Sequence, residues 1–202
     1  MSAMPQPPSE PQSLNPHLRA TADYIARLQL ASGALPWFEG GITDPWDHVE
    51  AMMGLTIAGD YARARKALEW LANQQRTDGA WFAAYQDADI VDASRAETNF
   101  VAYVATGLWH YYLITKDRDT VAQYWPMVEA AIQFVLAQQA PTGEIYWAVD
   151  SVKGVSKDAL ITGCSSIFKS LACAVRLAEI VGELRPDWLQ HRARLGQAIR
   201  DK

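Results

Sequence analysis

The sequence predicts an all-α domain of antiparallel helical hairpins, about seven helices in number. Apolar residues recur at spacings of three and four along most of the chain, and no stretch reads as a strand. A short unit also recurs: Gln29-Leu-Ala-Ser-Gly33 followed by Trp37, Gln75-Arg-Thr-Asp-Gly79 followed by Trp81, and Gln139-Ala-Pro-Thr-Gly143 followed by Trp147. The glutamines lie 46 and 64 residues apart. Self-similarity on this scale marks one supersecondary unit used repeatedly.

Residues 1–15 are polar and proline-rich and read as a flexible tail, without the basic and apolar regions of a secretion signal. Residues 16–202 form the helical domain, with helices expected at 16–31, 45–58, 61–75, 94–115, 119–139, 157–182 and 186–200. Asp44-Pro45-Trp46-Asp47 is a helix start, with Asp as N-cap, Pro at the first position and an acid at the third. Ser94-Arg95-Ala96-Glu97 reads as a capping box. Helices 16–31, 61–75 and 119–139 carry charge on one face, as at Arg63, Arg65, Lys66 and Glu69, and face outward. Helices 45–58, 94–115 and 157–182 are poorer in charge and rich in small residues, so they are buried on most sides. Outer helix, Gln-Gly-Trp turn and inner helix thus form a unit that occurs three times. Its glycine suits a helix C′ position, and its glutamine is free to bond the loop backbone. Hairpins stacked this way curve into a solenoid or close into a ring.

Composition narrows the function classes. A net charge of −5 without a basic cluster argues against nucleic acid and anionic membranes as partners. No apolar run reaches the roughly 18 residues of a membrane span. Cys164 and Cys173 are nine apart in a helical segment, about 13.5 Å along the axis, so they are expected to be separate buried thiols, in keeping with a cytoplasmic location.

Glu69-Trp70-Leu71-Ala72-Asn73-Gln74-Gln75-Arg76-Thr77-Asp78-Gly79-Ala80-Trp81 resembles the glutamine–tryptophan motif of terpenoid cyclases and protein prenyltransferases. Pro45-Trp46-Asp47-His48-Val49-Glu50-Ala51, followed by an outer helix and Asp78-Gly79-Ala80-Trp81, resembles the six-hairpin glycosidases. Both resemblances, over roughly residues 16–182, imply an (α/α) toroid, usually of six hairpins. Three hairpins amount to half of such a ring, so the arc is expected to be incomplete, or completed by a second copy in a homodimer.

On this arrangement the three outer-to-inner turns share one rim. Trp37, Trp81 and Trp147 are expected there, with Trp46, Tyr85, His48, Asp92, Asn99 and Tyr103 as further substrate contacts. Indole faces beside carboxylates suit a saccharide, because the apolar face of a pyranose packs on a ring and carboxylates hold hydroxyls. Glu97 and Asp47 are the candidate catalytic carboxyls, Glu97 first; the resemblance to glucosidase-like enzymes implies that Asp47 instead holds sugar hydroxyls, and a structural role is the alternative for both. The plainer alternatives are that His48 is a hydrogen-bonded structural residue and that the tryptophans pack repeat on repeat. No cofactor is expected, and no metal, because neither cysteine has a histidine near it in sequence. The isoprenoid alternative lacks its chemistry: Asp87-Ala88-Asp89-Ile90 is one acid short of the cyclase Asp-x-Asp-Asp motif, and the magnesium-binding Asp-Asp-x-x-Asp motif is missing.

Overall fold

The computed structural model describes residues 15–201; the tail expected over 1–15 lies, apart from residue 15, outside the described residues. Seven helices are present among them: α1 (Pro16–Leu28), α2 (Pro45–Ile57), α3 (Tyr61–Gln74), α4 (Thr98–Thr115), α5 (Arg118–Leu136), α6 (Ile161–Val181) and α7 (Pro186–Arg200). Side-chain caps define several starts. Asn15 accepts from the His17 amide, Asp60 from Arg63, and Asp117 from Thr120. Asp44 caps α2 as its sequence predicts, accepting from the Trp46 and Asp47 amides at 2.8 and 3.1 Å.

α2, α4 and α6 form the inner layer, with α4 in the middle packed against both others. α4 and α6 run parallel in register, Thr106 Oγ1 lying 3.0 Å from Ser170 Oγ and Asn99 facing Gly163. α3, α5 and α7 pack outside them. The core is aromatic and aliphatic, with Trp70, Trp81, Trp188, Tyr85 and Tyr111 among its fully buried members.

The repeat is a mechanical device that joins one hairpin to the next. Gln29 Nε2 donates to the Gly33 carbonyl at 3.1 Å and to the Arg63 carbonyl on α3 at 3.0 Å. Gln75 bonds Gly79 and Met127 on α5, both at 2.9 Å. Gln139 bonds Gly143 at 2.8 Å and His191 on α7 at 3.0 Å. The glycines do not sit at helix C′ positions, as the sequence suggested. α1, α3 and α5 end before them, and each glycine closes a tight turn at φ +104°, +91° or +106°. There it presses on the next outer helix: a Cβ would lie 2.3 Å from the Lys66 carbonyl oxygen, 2.3 Å from that of Ala130 and 2.7 Å from that of Arg194.

The chain also forms five short strands, which the sequence did not lead us to expect: β1 (Ala84–Gln86), β2 (Asp89–Asp92), β3 (Arg95–Glu97), β4 (Ala148–Asp150) and β5 (Gly154–Val155). β1 and β2 form a hairpin, and β3–β4–β5 an antiparallel sheet in which Arg95 faces Asp150 and Glu97 faces Ala148. This pairing claims the backbone that the expected capping box needed. α4 therefore starts at Thr98, with Glu97 at the N-cap making no side-chain capping bond. Likewise α6 begins at Ile161 rather than near 157, because the Trp147 amide bonds the Asp158 carbonyl at 2.9 Å and holds that segment extended.

Candidate functional site

On the turn side of the arc a cleft of about 340 Å³ is lined by Trp37, Asp44, Trp46, Asp47, Asp92, Arg95, Glu97 and Phe100, with Ile42, Ala83 and Ala84. Three connections build it: the loop from Gly33 to Asp44, the β1–β2 hairpin, and β3 leading into α4. Thr43 and Tyr85 exchange both backbone hydrogen bonds at 2.8 Å, which ties the first loop to the hairpin.

Asp44 is buried and fully used. Besides capping α2 it accepts from the Trp37 indole N–H, fixing an otherwise exposed ring at the cleft edge. Asp47, one helical position past the Trp46 amide, is exposed. Its pKa is pushed up to about 6, first by the desolvation it does suffer, then by repulsion from and hydrogen bonding to Asp44, then by Glu50. A carboxyl held there carries its proton to near neutral pH.

Trp46 is backed by Tyr103, stacked at 3.8 Å between centroids and 8° between planes, and flanked by Phe100 at 5.9 Å. Tyr103 donates to Glu50 Oε1 at 3.3 Å. Burial, with Glu50 nearby, pushes its hydroxyl up to about 12. Tyr103 thus supports the indole from behind and does not line the cleft.

Glu97 receives Arg95 Nε and Nη2 on Oε1 at 2.8 and 2.7 Å, and Arg95 reaches Asp92 at 3.5 Å. Asp92 also accepts from Ser94, whose hydroxyl and amide hold its carboxyl below the usual range, with Arg95 adding to the effect. The Arg95 guanidinium lies 5.7 Å from the Trp147 ring centre, and Trp147 donates to Ser156 Oγ at 2.9 Å. Trp147 is thus next to the cleft through Arg95 rather than in its wall.

Three expected contacts lie in the core instead. Trp81 is 1% exposed and donates to the Leu71 carbonyl at 2.9 Å. It stands two residues after its glycine, the position Leu35 and Ile145 occupy in the other repeats, and all three are buried. Trp37 and Trp147 stand four after theirs, where the chain has turned outward; Ala83 holds that position in the middle repeat. Tyr85 is buried and accepts from the Phe82 amide at 2.9 Å. His48 is wholly buried; Nδ1 accepts from the Leu35 amide at 3.2 Å, so Nε2 is the protonated nitrogen and donates to the Ala67 carbonyl at 3.0 Å. Burial lowers its pKa to about 4, and it acts as a neutral bolt between the first loop and α3. Asn99 is half-buried against α6, away from the cleft.

Arg95 and Phe100, with the small or aliphatic Ile42, Ala83 and Ala84, are cleft residues that sequence reasoning missed. Arg95 and Glu97 are two apart, which a strand places on one face and a helix does not. Among the described residues no group of three or more His, Cys, Asp or Glu is arranged to hold a metal ion, and no helix is long and apolar enough to cross a membrane.

The fold is that of the (α/α) toroid, which several solved carbohydrate-active enzymes share. The chain superposes on an unsaturated glucuronyl hydrolase specific for heparin with a TM-score of 0.68 at 14% identity, covering 90% of this chain and 54% of that one. A D-mannose isomerase gives 0.61 at 12% identity over 96% and 52%. A family 76 glycoside hydrolase (mannosidase) of Bacteroides thetaiotaomicron gives 0.58 at 11% identity over 84% and 48%. At sequence level the chain is 50% identical over 193 residues to an MMP endo-(1,4)-3-O-methyl-alpha-D-mannosidase of Mycolicibacterium hassiacum, matching 95% of this chain and 53% of the relative. The chain therefore spans about half the length of that curated relative. No family model matches it.

Proposed function

We propose that the cleft is the saccharide site of a glycosidase of the six-hairpin type, and that its substrate is an α-(1,4)-linked mannose chain bearing methyl ethers. One observation carries the reading: an exposed carboxyl, Asp47, with its pKa raised to about 6, stands beside an indole platform in a cleft that also holds an arginine-bound carboxylate. The 50% identity to a mannosidase supports it and supplies the linkage and the methyl group. The rim suits a partly apolar sugar, since Trp37, Phe38, Ile90 and Val91 are all at least half exposed around it.

In this reading Trp46, held flat by Tyr103, packs against the apolar face of a pyranose, and Asp92 and Arg95 bind its hydroxyls. Protonated Asp47 gives its proton to the glycosidic oxygen as the bond to the anomeric carbon breaks. Glu97 takes a proton from the water whose oxygen bonds that carbon. The isoprenoid alternative gains nothing from the site: Asp87, on the β1–β2 turn and bonded to Ser32, and Asp89, at the start of β2, are both exposed, and neither lines the cleft.

The test is titration of the chain with α-(1,4)-linked oligomannosides, plain and 3-O-methylated, followed by intrinsic tryptophan fluorescence, and a hydrolysis assay on the same sugars. Binding should weaken about tenfold or more in Trp46→Leu, and any hydrolysis should be lost in Asp47→Asn and Glu97→Gln. A wild type that binds neither sugar, or a Glu97→Gln variant that keeps full hydrolytic activity, ends the assignment.

A further inference from the structure

The turn repeat places one residue four positions after each glycine: Trp37, Ala83 and Trp147. Packing belongs to the residue two positions earlier, since Leu35, Trp81 and Ile145 are all buried. The later position has another use. In the first repeat its indole N–H is held by Asp44, seven residues on, and the ring stands at the cleft edge. In the middle repeat it is a single methyl group, and Ala83 lines the cleft. In the third repeat the indole returns. Trp147 Nε1 donates to Ser156 Oγ at 2.9 Å, nine residues on, and the Trp147 amide donates to the Asp158 carbonyl at 2.9 Å. The ring is thereby fixed yet only half-buried, so part of it stays open to solvent. An amphipathic ring pinned by its N–H and left partly open is a contact surface rather than core filling.

We propose that Trp147 is the platform of a second saccharide subsite, which takes a neighbouring unit of the chain held in the cleft. Arg95 joins the two places: its guanidinium is bound to Glu97 in the cleft and lies 5.7 Å from the Trp147 ring centre. A sugar chain that leaves Trp46 across Arg95 meets Trp147 next. Hydroxyl partners stand beside the ring, with Ser156 Oγ donating to Asp158 at 3.3 Å and both Asp158 and Lys157 exposed. The apolar side is supplied by the β4–β5 hairpin, where Val152 and Val155 are 90% and 45% exposed. These valines sit on an ordered turn. Asp150 pairs with Arg95 across the sheet, and its carboxylate takes the Val152 and Lys153 amides, both at 2.8 Å. The Ser151 amide bonds the Ser94 carbonyl at 2.8 Å. Apolar side chains held open to water beside polar groups suit the methyl ethers of a partly methylated glycan, and a plain chain has nothing to set against them.

The second subsite rests on the saccharide reading of the cleft, and chain length separates the two. Affinities are measured by calorimetric titration for α-(1,4)-linked, 3-O-methylated mannose di- and tetrasaccharides and for the plain tetrasaccharide. The wild type should bind the methylated tetrasaccharide about tenfold or more tightly than the disaccharide. Trp147→Leu should remove that gain and leave the disaccharide affinity unchanged, and Trp147→Phe, which keeps a ring, should restore part of it. Val152→Ser combined with Val155→Ser, both changes at exposed positions, should cost the methylated tetrasaccharide severalfold and the plain one nothing. In indole N–H spectra the Trp147 signal should move with the tetrasaccharide, by less than that of Trp46, and stay in place with the disaccharide. A wild type that binds the disaccharide and gains nothing from the longer chain overturns the second subsite alone. One that binds neither overturns the cleft assignment with it. A Trp147→Leu variant weakened equally toward both lengths makes the indole a support for Arg95 rather than a sugar platform, and also overturns the proposal.

Discussion

Gly79→Ala tests the repeat device most sharply. Gly79 adopts φ +91°, and an added Cβ would lie 2.3 Å from the Ala130 carbonyl oxygen and 2.6 Å from its carbonyl carbon. The left-handed backbone alone costs an alanine about 1–2 kcal/mol. Relieving the contact means moving the turn off α5, because the obstacle is helix backbone and cannot rotate away as a side chain would. Overpacking of that kind costs about 1–3 kcal/mol. The same shift stretches the 2.9 Å bond from Gln75 to the Met127 carbonyl, worth about 1 kcal/mol. The sum is about 3–6 kcal/mol, which for a chain of this size lowers Tm by roughly 6–24 °C. Gly40→Ala is the control: its φ is +72° and nothing lies within 4 Å of the new Cβ. It should cost only the backbone portion, about 1–2 kcal/mol. Thermal and urea melts followed by circular dichroism decide the matter. Equal losses in the two variants would refute the claim that the repeat glycines are there for close approach to the next helix.

Three further outcomes are expected. His48 is buried neutral with its pKa lowered from 6.5 to about 4, so the unfolded chain takes up a proton first. Stability should fall as pH drops from 6.5 toward 4, by about 3 kcal/mol in all, and His48→Gln should flatten that limb of a pH-dependent urea series. Asp47 is shifted the other way, from 3.8 up to about 6, so its contribution to stability is present below pH 3.8 and lost as pH rises through 6. Asp47→Asn should therefore raise Tm at pH 7–8 and give no gain below pH 4. Arg95→Leu leaves Glu97 and Asp92 facing each other without their shared cation; saccharide affinity should drop severalfold in a calorimetric titration while the far-ultraviolet spectrum stays unchanged.

The repeat was legible because its parts are local: Gln29, Gln75 and Gln139 each reach their own Gly four residues on. Which tryptophans leave the core was also written in the spacing, two residues after the glycine at buried Trp81 and four at Trp37 and Trp147, and treating the three as equivalent hid the difference. The strands were not legible. β3 is three residues long, and its partner lies about 50 residues further on, so no local pattern announces it. Ser94 to Glu97 satisfied a helix-start motif that long-range pairing then overrode. That error concealed Arg95, whose ion pair with Glu97 depends on strand alternation. His48 and Tyr85 sit among rim carboxylates in sequence, yet packing beneath the first loop takes both into the core.

Indole N–H resonances give the most direct test of the saccharide site. The eight tryptophans report separate regions, and assigned spectra would be recorded while adding a 3-O-methylated α-(1,4)-oligomannoside. The Trp37 and Trp46 signals should shift together, with a smaller change at Trp147, while core Trp70, Trp81 and Trp188 stay in place. Shifts confined to other tryptophans, or none at saturating sugar, would contradict a saccharide site in this cleft.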